Sequence, residues 1–197
     1  MKILDIEQQT QEWYTAKAGL PSSSNFDKIV TTKGDFSKQA QQYMYRLAGE
    51  RITGERESTF QSAAMKRGCI LEEEARVLYE MLTGETVNQV GLCIADEGFV
   101  TSPDGLVGDD GLLEVKCPLM ATHVEYLLKG KLPMTYFQQV QGQLLVTGRK
   151  WCDFMSYYPA MKPLIVRVER DEDFINTLKD TLIGFCKELD IMVEKIK

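Results

Sequence analysis

Between Thr86 and Cys117 the chain abandons helical periodicity for short β-rich runs, Thr86–Ala95, Phe99–Thr101 and Leu112–Cys117. They are interrupted by Gly98, by Ser102-Pro103-Asp104-Gly105 and by Asp109-Asp110-Gly111. Turn residues at such intervals predict a β meander with tight turns. Both sides of this block read mainly as helix. Gln11–Ala18 stops at Gly19, Ser37–Thr53 at Gly54, and a longer segment from about Phe60 to Thr83 at Gly84, each a glycine placed where a helix ends. Ser24 and Asp27 supply an [ST]-x-x-[DE] start signal between the first two. Beyond the meander, helices are expected at about Thr122–Lys129 and Thr135–Thr147, the second closed by Gly148, and strands at Trp151–Tyr158 and Leu164–Glu169. From Asp171 to Lys197, Phe174, Leu178, Leu182, Phe185, Leu189, Val193 and Ile196 recur at three- and four-residue steps, the apolar stripe of an amphipathic helix laid on a core. A helical N-terminal region followed by a short mixed sheet flanked by helices makes an α/β or α+β domain.

The 197 residues contain no internal repeat, low-complexity tract or Pro/Ser-rich linker, so one domain spanning 1–197 is expected. No apolar run approaches the roughly 20 residues that span a bilayer, and the first residues lack the apolar stretch of a secretory signal. The cytosol and no membrane partner are expected. Five cysteines without a C-x-x-C pair suggest neither a zinc cage nor a disulfide framework; they read as small, mostly buried hydrophobes. The single histidine, His123, excludes H-E-x-x-H zinc sites and two-histidine metal triads. No G-x-S-x-G elbow accompanies it, and it reads as an ordinary helix residue.

The formal net charge is −6, unevenly placed. Residues 96–116 carry six acids against one lysine, and Glu72, Glu73 and Glu74 form a second acidic cluster, which leaves the rest of the chain at +2. Negative charge confined to two short segments fits a local demand for carboxylates, such as cation binding; the alternative is a solvated acidic loop. The chemistry concentrates where Ser102-Pro103-Asp104-Gly105 precedes Glu114-Val115-Lys116. Asp104 falls at a strand end or turn, while Glu114 and Lys116, two apart on one strand, point to the same face. Two carboxylates and an ammonium in one small volume suit a hard divalent cation, with Asp104, Glu114 and the Val115 carbonyl as oxygen ligands of the kind Mg²⁺ takes. Lys116 beside the ion would orient a water and favour its deprotonated form. Such a group hydrolyses phosphodiesters without a histidine base.

Chance predicts roughly two acid-x-Lys triplets in a chain of this composition, and this is the only one present. The alternative for it is an exposed hairpin bearing an ion pair. Glu72, beside an apolar run on the long helix, is placed to face inward and complete a second metal position; the alternative is a solvated helix residue. Gln138 and Gln141, three apart, share a helix face on which a glutamine would hold water or phosphate, or lie at the surface.

Together with these residues, five ordered blocks resemble the phage lambda exonuclease family, the YqaJ-type viral recombinase nucleases of the PD-(D/E)xK superfamily. The blocks are Trp13-Tyr14-Thr15-Ala16-Lys17-Ala18-Gly19 with Ser22-Ser23-Ser24, Gly68 through Arg76, Ser102 through Leu106, Leu113 through Pro118, and Gln139-Val140-Gln141. The resemblance implies a restriction-endonuclease-like core and a Mg²⁺-dependent exonuclease, with Mn²⁺ as a substitute. It would digest one strand of linear double-stranded DNA from the 5′ end and leave a 3′ overhang for strand annealing. Also implied are a homotrimeric ring around DNA, a single-strand annealing protein as partner, and a phage or prophage origin in a bacterial cytosol. Carried over by residue, Asp104, Glu114 and the Val115 carbonyl are similar to the primary metal ligands. Lys116 is similar to the water-activating residue, Glu72 to the additional acidic ligand, and Gln141 to the active-site glutamine. Ser24 and Ser102 resemble serines near the DNA phosphates. Lys17 stands where the lambda enzyme has an arginine for the terminal 5′-phosphate; it brings charge but no planar fork, a lack that a nearby arginine or Lys66-Arg67 would offset. An endonuclease or resolvase on the same core, or a non-catalytic DNA-binding module, would share the implied fold.

Overall fold

A computed structural model describes residues 1–56 and 63–197, without the side chains of residues 63–66. The start expected at Phe60 for the long helix lies outside the described residues, and the helix, α3, runs Ala63–Thr83. Two sheets take the place of a single meander. A three-stranded antiparallel sheet has the order β1 (Lys2–Leu4), β3 (Leu92–Ile94), β4 (Val100–Thr101). A five-stranded sheet has the order β2 (Val87–Asn88), β5 (Gly105–Val107), β6 (Gly111–Lys116), β7 (Trp151–Ser156), β8 (Leu164–Glu169).

The expected run Thr86–Ala95 is therefore split between sheets, and Gly91 is the reason. A Cβ at Gly91 would lie 2.1 Å from the Ile6 carbonyl oxygen and 2.7 Å from that of Leu4, so the N-terminal segment crosses close over a bare backbone. Strands β1 and β5 carry no sequence signal because three residues are too few to show a period of two; pairing with β3 and β6 holds them. Strands β6 and β7 run parallel, which demands a crossover. That crossover contains α4 (Met120–Lys129), a 3-10 turn (Met134–Tyr136) and α5 (Phe137–Thr147).

Strand β6 alternates strictly between two helical layers. Leu113 and Val115 pack with Ala75 and Tyr79 of α3, whereas Leu112 packs with Val140 and Leu144 of α5. Each such buried side chain contributes about 1.5–3 kcal/mol. Helix α6 (Glu172–Ile196) starts at Asp171, whose carboxylate accepts from Phe174 N at 3.0 Å. Its stripe is buried from Phe174 to Val193 with residues of α2 (Ala40–Thr53), but Ile196 in the last turn is exposed.

The signal at Ser24 and Asp27 opens no α-helix. Ser23–Lys28 is a 3-10 turn, and the Ser24 hydroxyl lies 3.1 Å from Ser22 Oγ instead of capping. This turn sits on α5 because position 142 is glycine: a Cβ there would lie 2.4 Å from the Phe26 ring. Helix α1 (Gln11–Lys17) is fastened to α2 through Gly19, whose N–H donates to Glu50 at 2.9 Å and whose carbonyl accepts from Arg51 at 2.8 Å. His123, buried in α4, spans Ser156 Oγ at 2.8 Å and the Lys162 carbonyl at 3.1 Å, a strut in the packing. Cys93, Cys152 and Cys186 are buried and all five cysteines are free thiols. Among the described residues no helix is long and apolar enough to cross a membrane.

Asp153, buried on β7, accepts from Tyr79 Oη at 2.7 Å and from Arg167 Nε and Nη2 at 2.9 Å each. One carboxylate thus ties α3 to β7 and β8. Arg167→Ala is expected to lower stability by about 2 kcal/mol, since the carboxylate stays buried while the lost guanidinium was half-exposed. Urea unfolding reads the change, and an unshifted midpoint would remove this tie from the account.

Candidate active site

The site begins where β5 leaves β6. Pairing ends at Gly105↔Leu113, followed by one bond from Asp104 N to the Leu113 carbonyl at 3.1 Å. Main-chain groups two residues apart on a strand face the same edge, so Val115 turns its N–H and C=O to the side β5 has vacated. The N–H donates to Asp104 Oδ2 at 2.6 Å. The turn before β5 thereby brings the Asp104 carboxylate alongside the Val115 main chain.

Glu114 and Lys116 share the α5 face of β6 and form an ion pair, as their spacing predicts. Glu114 is 1% exposed, and Gln139 Nε2 and Gln143 Nε2 donate to its two carboxylate oxygens at 2.5 Å each. Those glutamines are four apart on α5 and so share one face. Burial would favour a neutral Lys116, but Glu114 and Asp104 outweigh it and hold the ammonium above its ordinary range. Burial pushes Asp104 well above the usual carboxylate range, Glu114 and Glu72 add to the rise, and Lys116 opposes it. Burial raises Glu72 as well, Lys116 opposes, and Glu114 adds.

Carboxylates that raise one another's proton affinity mark a site short of positive charge. Asp104, Glu114 and the Val115 carbonyl are hard oxygen donors of the type Mg²⁺ accepts, so the residues present fit a divalent cation. Asp104 and Glu72 also line a cleft of about 590 Å³. Among the described residues no three His, Cys, Asp or Glu side chains are grouped closely enough to hold a metal by themselves. Glu72 therefore faces the site without closing a carboxylate cage.

Two other expected residues, Ser102 and Lys17, meet at Trp13. Trp13 Nε1 donates to Ser102 Oγ at 3.0 Å, and Lys17 Nζ lies 4.3 Å from the Trp13 ring centroid. Burial and then the Arg56 guanidinium lower Lys17 to about 7; Glu114 opposes the fall and Lys116 adds to it. Lys17 is thus within electrostatic reach of both Glu114 and Lys116. Ser24 is exposed and bonds to Ser22 and Asn25, while the hydroxyls of its neighbour Ser23 and of Thr101 are 2.6 Å apart and Val100 N donates to the Pro21 carbonyl at 2.8 Å.

Gln141 does not join this group. It is buried elsewhere, its Nε2 donating to the Glu169 carbonyl at 3.0 Å and its Oε1 accepting from Asp171 N at 2.9 Å, which pins the β8–α6 junction. Gln138, expected on the same face as Gln141, donates to the Val30 carbonyl at 3.2 Å. Gln139 and Gln143 hold Glu114 instead; their four-residue spacing is a legible signal, obscured by four glutamines in six positions. Arg67 is spent on the Cys117 and Pro118 carbonyls and on the Tyr158 ring, and the Lys66 side chain is outside the described residues. Arg56 is the arginine beside Lys17, placed by tertiary contact alone.

A mixed sheet with helices on both faces thus carries this Asp, Glu-x-Lys group at a strand edge. The chain belongs to the YqaJ-like viral recombinase domain family, whose model matches residues 12–150. It is 39% identical to an alkaline exonuclease from Laribacter hongkongensis, with a TM-score of 0.87 over 95% of this chain and 96% of that one; the structure in complex with dAMP gives the same values. A phage related exonuclease from Haemophilus somnus 129PT is 16% identical with a TM-score of 0.70, over 90% of this chain and 96% of that one, a likeness of fold alone. No curated protein matches the chain.

Proposed function

We propose that this chain is a Mg²⁺-dependent exonuclease that degrades one strand of linear double-stranded DNA from the 5′ end, leaving a 3′ single strand for phage-type recombination. The observation that carries this reading is the convergence of Asp104, Glu114 and Lys116 beside the open edge of Val115. The name of the 39% identical relative, an exonuclease, favours DNA ends over internal phosphates as the target.

Asp104, Glu114 and the Val115 carbonyl would hold Mg²⁺ or Mn²⁺, with Glu72 as a further acidic contact. When bound, the ion polarises a phosphoryl oxygen and makes hydroxide available at neutral pH. The side chains do the rest. Lys116 remains an ammonium, so it takes up no proton; it orients water and stabilises charge developing on the phosphate. Glu114 is held by Lys116, Gln139 and Gln143 and keeps one orientation. Ser102, oriented by Trp13, and Ser24 offer hydroxyls to phosphate oxygens, and Lys17 supplies charge to a terminal 5′-phosphate.

A net charge of −6 disfavours nonspecific attraction to duplex. A homotrimeric ring offsets that, because enclosed DNA is released only at an end and modest basic contacts then suffice. A single-strand annealing protein would receive the uncovered strand. End-labelled linear duplex and covalently closed circles, each with Mg²⁺, test the reading. The 5′ label is lost first from linear DNA and circles survive; digestion of circles points to an endonuclease and overturns it.

Lys17→Arg is expected to raise the preference for 5′-phosphorylated over 5′-hydroxyl ends by about 3- to 10-fold, because arginine adds a bidentate fork. The sign with pH follows from the depressed lysine. Above about 7 the DNA-free Lys17 loses its proton and arginine does not, so the gap between the two proteins widens toward alkaline pH. Equal ratios in both proteins at every pH would take Lys17 out of the phosphate site.

A further inference from the structure

A cationic groove adjoins Ser24 through Asn25 and Lys28. Asn25 Nδ2 donates to Ser24 Oγ at 3.3 Å and to Ser22 Oγ at 3.2 Å, and Asn25 Oδ1 accepts from Lys28 Nζ at 2.7 Å. Lys28 Nζ lies 5.6 Å, and Arg46 Cζ 4.9 Å, from the centroid of the same Tyr43 ring. Lys28, Lys38, Gln39, Gln42, Tyr43 and Arg46 line a cleft of about 440 Å³. That lining has three cations, two amides, an aromatic floor and no acid, in a chain with 29 acids against 23 bases.

Two further observations bear on the cations of the groove. Arg46 Nε is buried and forms an ion pair with Glu50 Oε1 at 3.6 Å, without a hydrogen bond among the described residues. Burial, then Arg46, lowers Lys28, with Asp27 opposing and Arg56 adding to the fall. Arg56 acts in the same way on Lys17, which in turn feels Lys116. Arg56 is thus within electrostatic reach of both Lys17 and Lys28.

We propose that the cleft between Lys28, Lys38 and Arg46 is a second DNA subsite that seats consecutive backbone phosphates of the duplex leading into the active site. The chemistry is that of phosphate recognition: lysines as point charges, a guanidinium over the aromatic floor, and glutamine amides for the remaining oxygens. As a backbone subsite it is indifferent to sequence. The proposal rests on the exonuclease reading above for its substrate.

The test is binding of a 5′-phosphorylated linear duplex without metal, followed by fluorescence anisotropy across a salt series, for wild type, Lys28→Gln, Lys38→Gln and Arg46→Lys. Each lost phosphate contact lowers the slope of log K against log salt by about 0.9. Lys28→Gln and Lys38→Gln are expected to show that drop and to bind several-fold more weakly at low salt, equally on unrelated sequences; Arg46→Lys keeps the slope. Lys38 is exposed, so its variant reports even where a neighbour disturbs folding. A slope unchanged in either glutamine variant, while wild type still binds and cuts linear DNA, overturns the groove. Inorganic phosphate that displaces the duplex equally from wild type and from both glutamine variants also overturns it. A wild type that neither binds nor cuts DNA overturns the exonuclease reading instead.

Discussion

Lys116→Ala lowers the rate of strand hydrolysis, at saturating DNA and Mg²⁺, by at least about 10²- to 10³-fold, the cost of removing one charge aimed at a developing oxyanion. Two features of the site set this size. The ammonium is held charged by Glu114 and Asp104, and its pairing with Glu114 fixes where that charge lies. Truncation leaves Glu114 bonded to Gln139 and Gln143, so the carboxylate is not left bare and the fold survives. Single-turnover cleavage beside a circular dichroism melt separates the two effects. A variant that cuts as fast as wild type ends the role assigned to Lys116.

Asp104→Asn abolishes the stabilisation by metal and, with it, cleavage. At about 100 times its Kd, Mg²⁺ stabilises wild type by about 2.7 kcal/mol, which for a chain of this length raises Tm by roughly 5–10 °C. The variant shows no such rise. Its metal-free Tm stays equal to or above that of wild type, because burial and the neighbouring Glu114 and Glu72 already disfavour the charged Asp104. The amide oxygen of asparagine can still accept from Val115 N, so the local turn is kept. A Mg²⁺-dependent rise in the variant matching that of wild type would place the ion elsewhere.

The elements that could be seen in advance were those with room for a period. The α6 stripe spans more than six turns, and all of it except the terminal Ile196 is buried as spaced. Leu164–Glu169 is a strand at its expected limits. The three-residue β1 and β5 had no such room and are defined by their partners. Of the chemistry, Glu114 and Lys116 were visible because a period of two puts them on one face. Asp104 was visible because a Pro-Asp turn ends one strand near the start of the next.

Glutamines show the limit. Helical spacing groups Gln139 with Gln143 and Gln138 with Gln141 equally well. Which face meets Glu114 depends on how α5 rotates onto β6, and packing of Val140 and Leu144 on Leu112 sets that rotation. Residue types, the two-residue spacing on β6 and the turn that precedes β5 were legible from the chain alone, since these are local and obey backbone periodicity. Tertiary packing set which glutamines hold Glu114, that Arg56 stands beside Lys17, and that Lys28 of the Ser23–Lys28 turn joins Arg46 of α2 over one tyrosine ring. Those contacts join segments that no periodicity relates, and side-chain packing alone sets their registry.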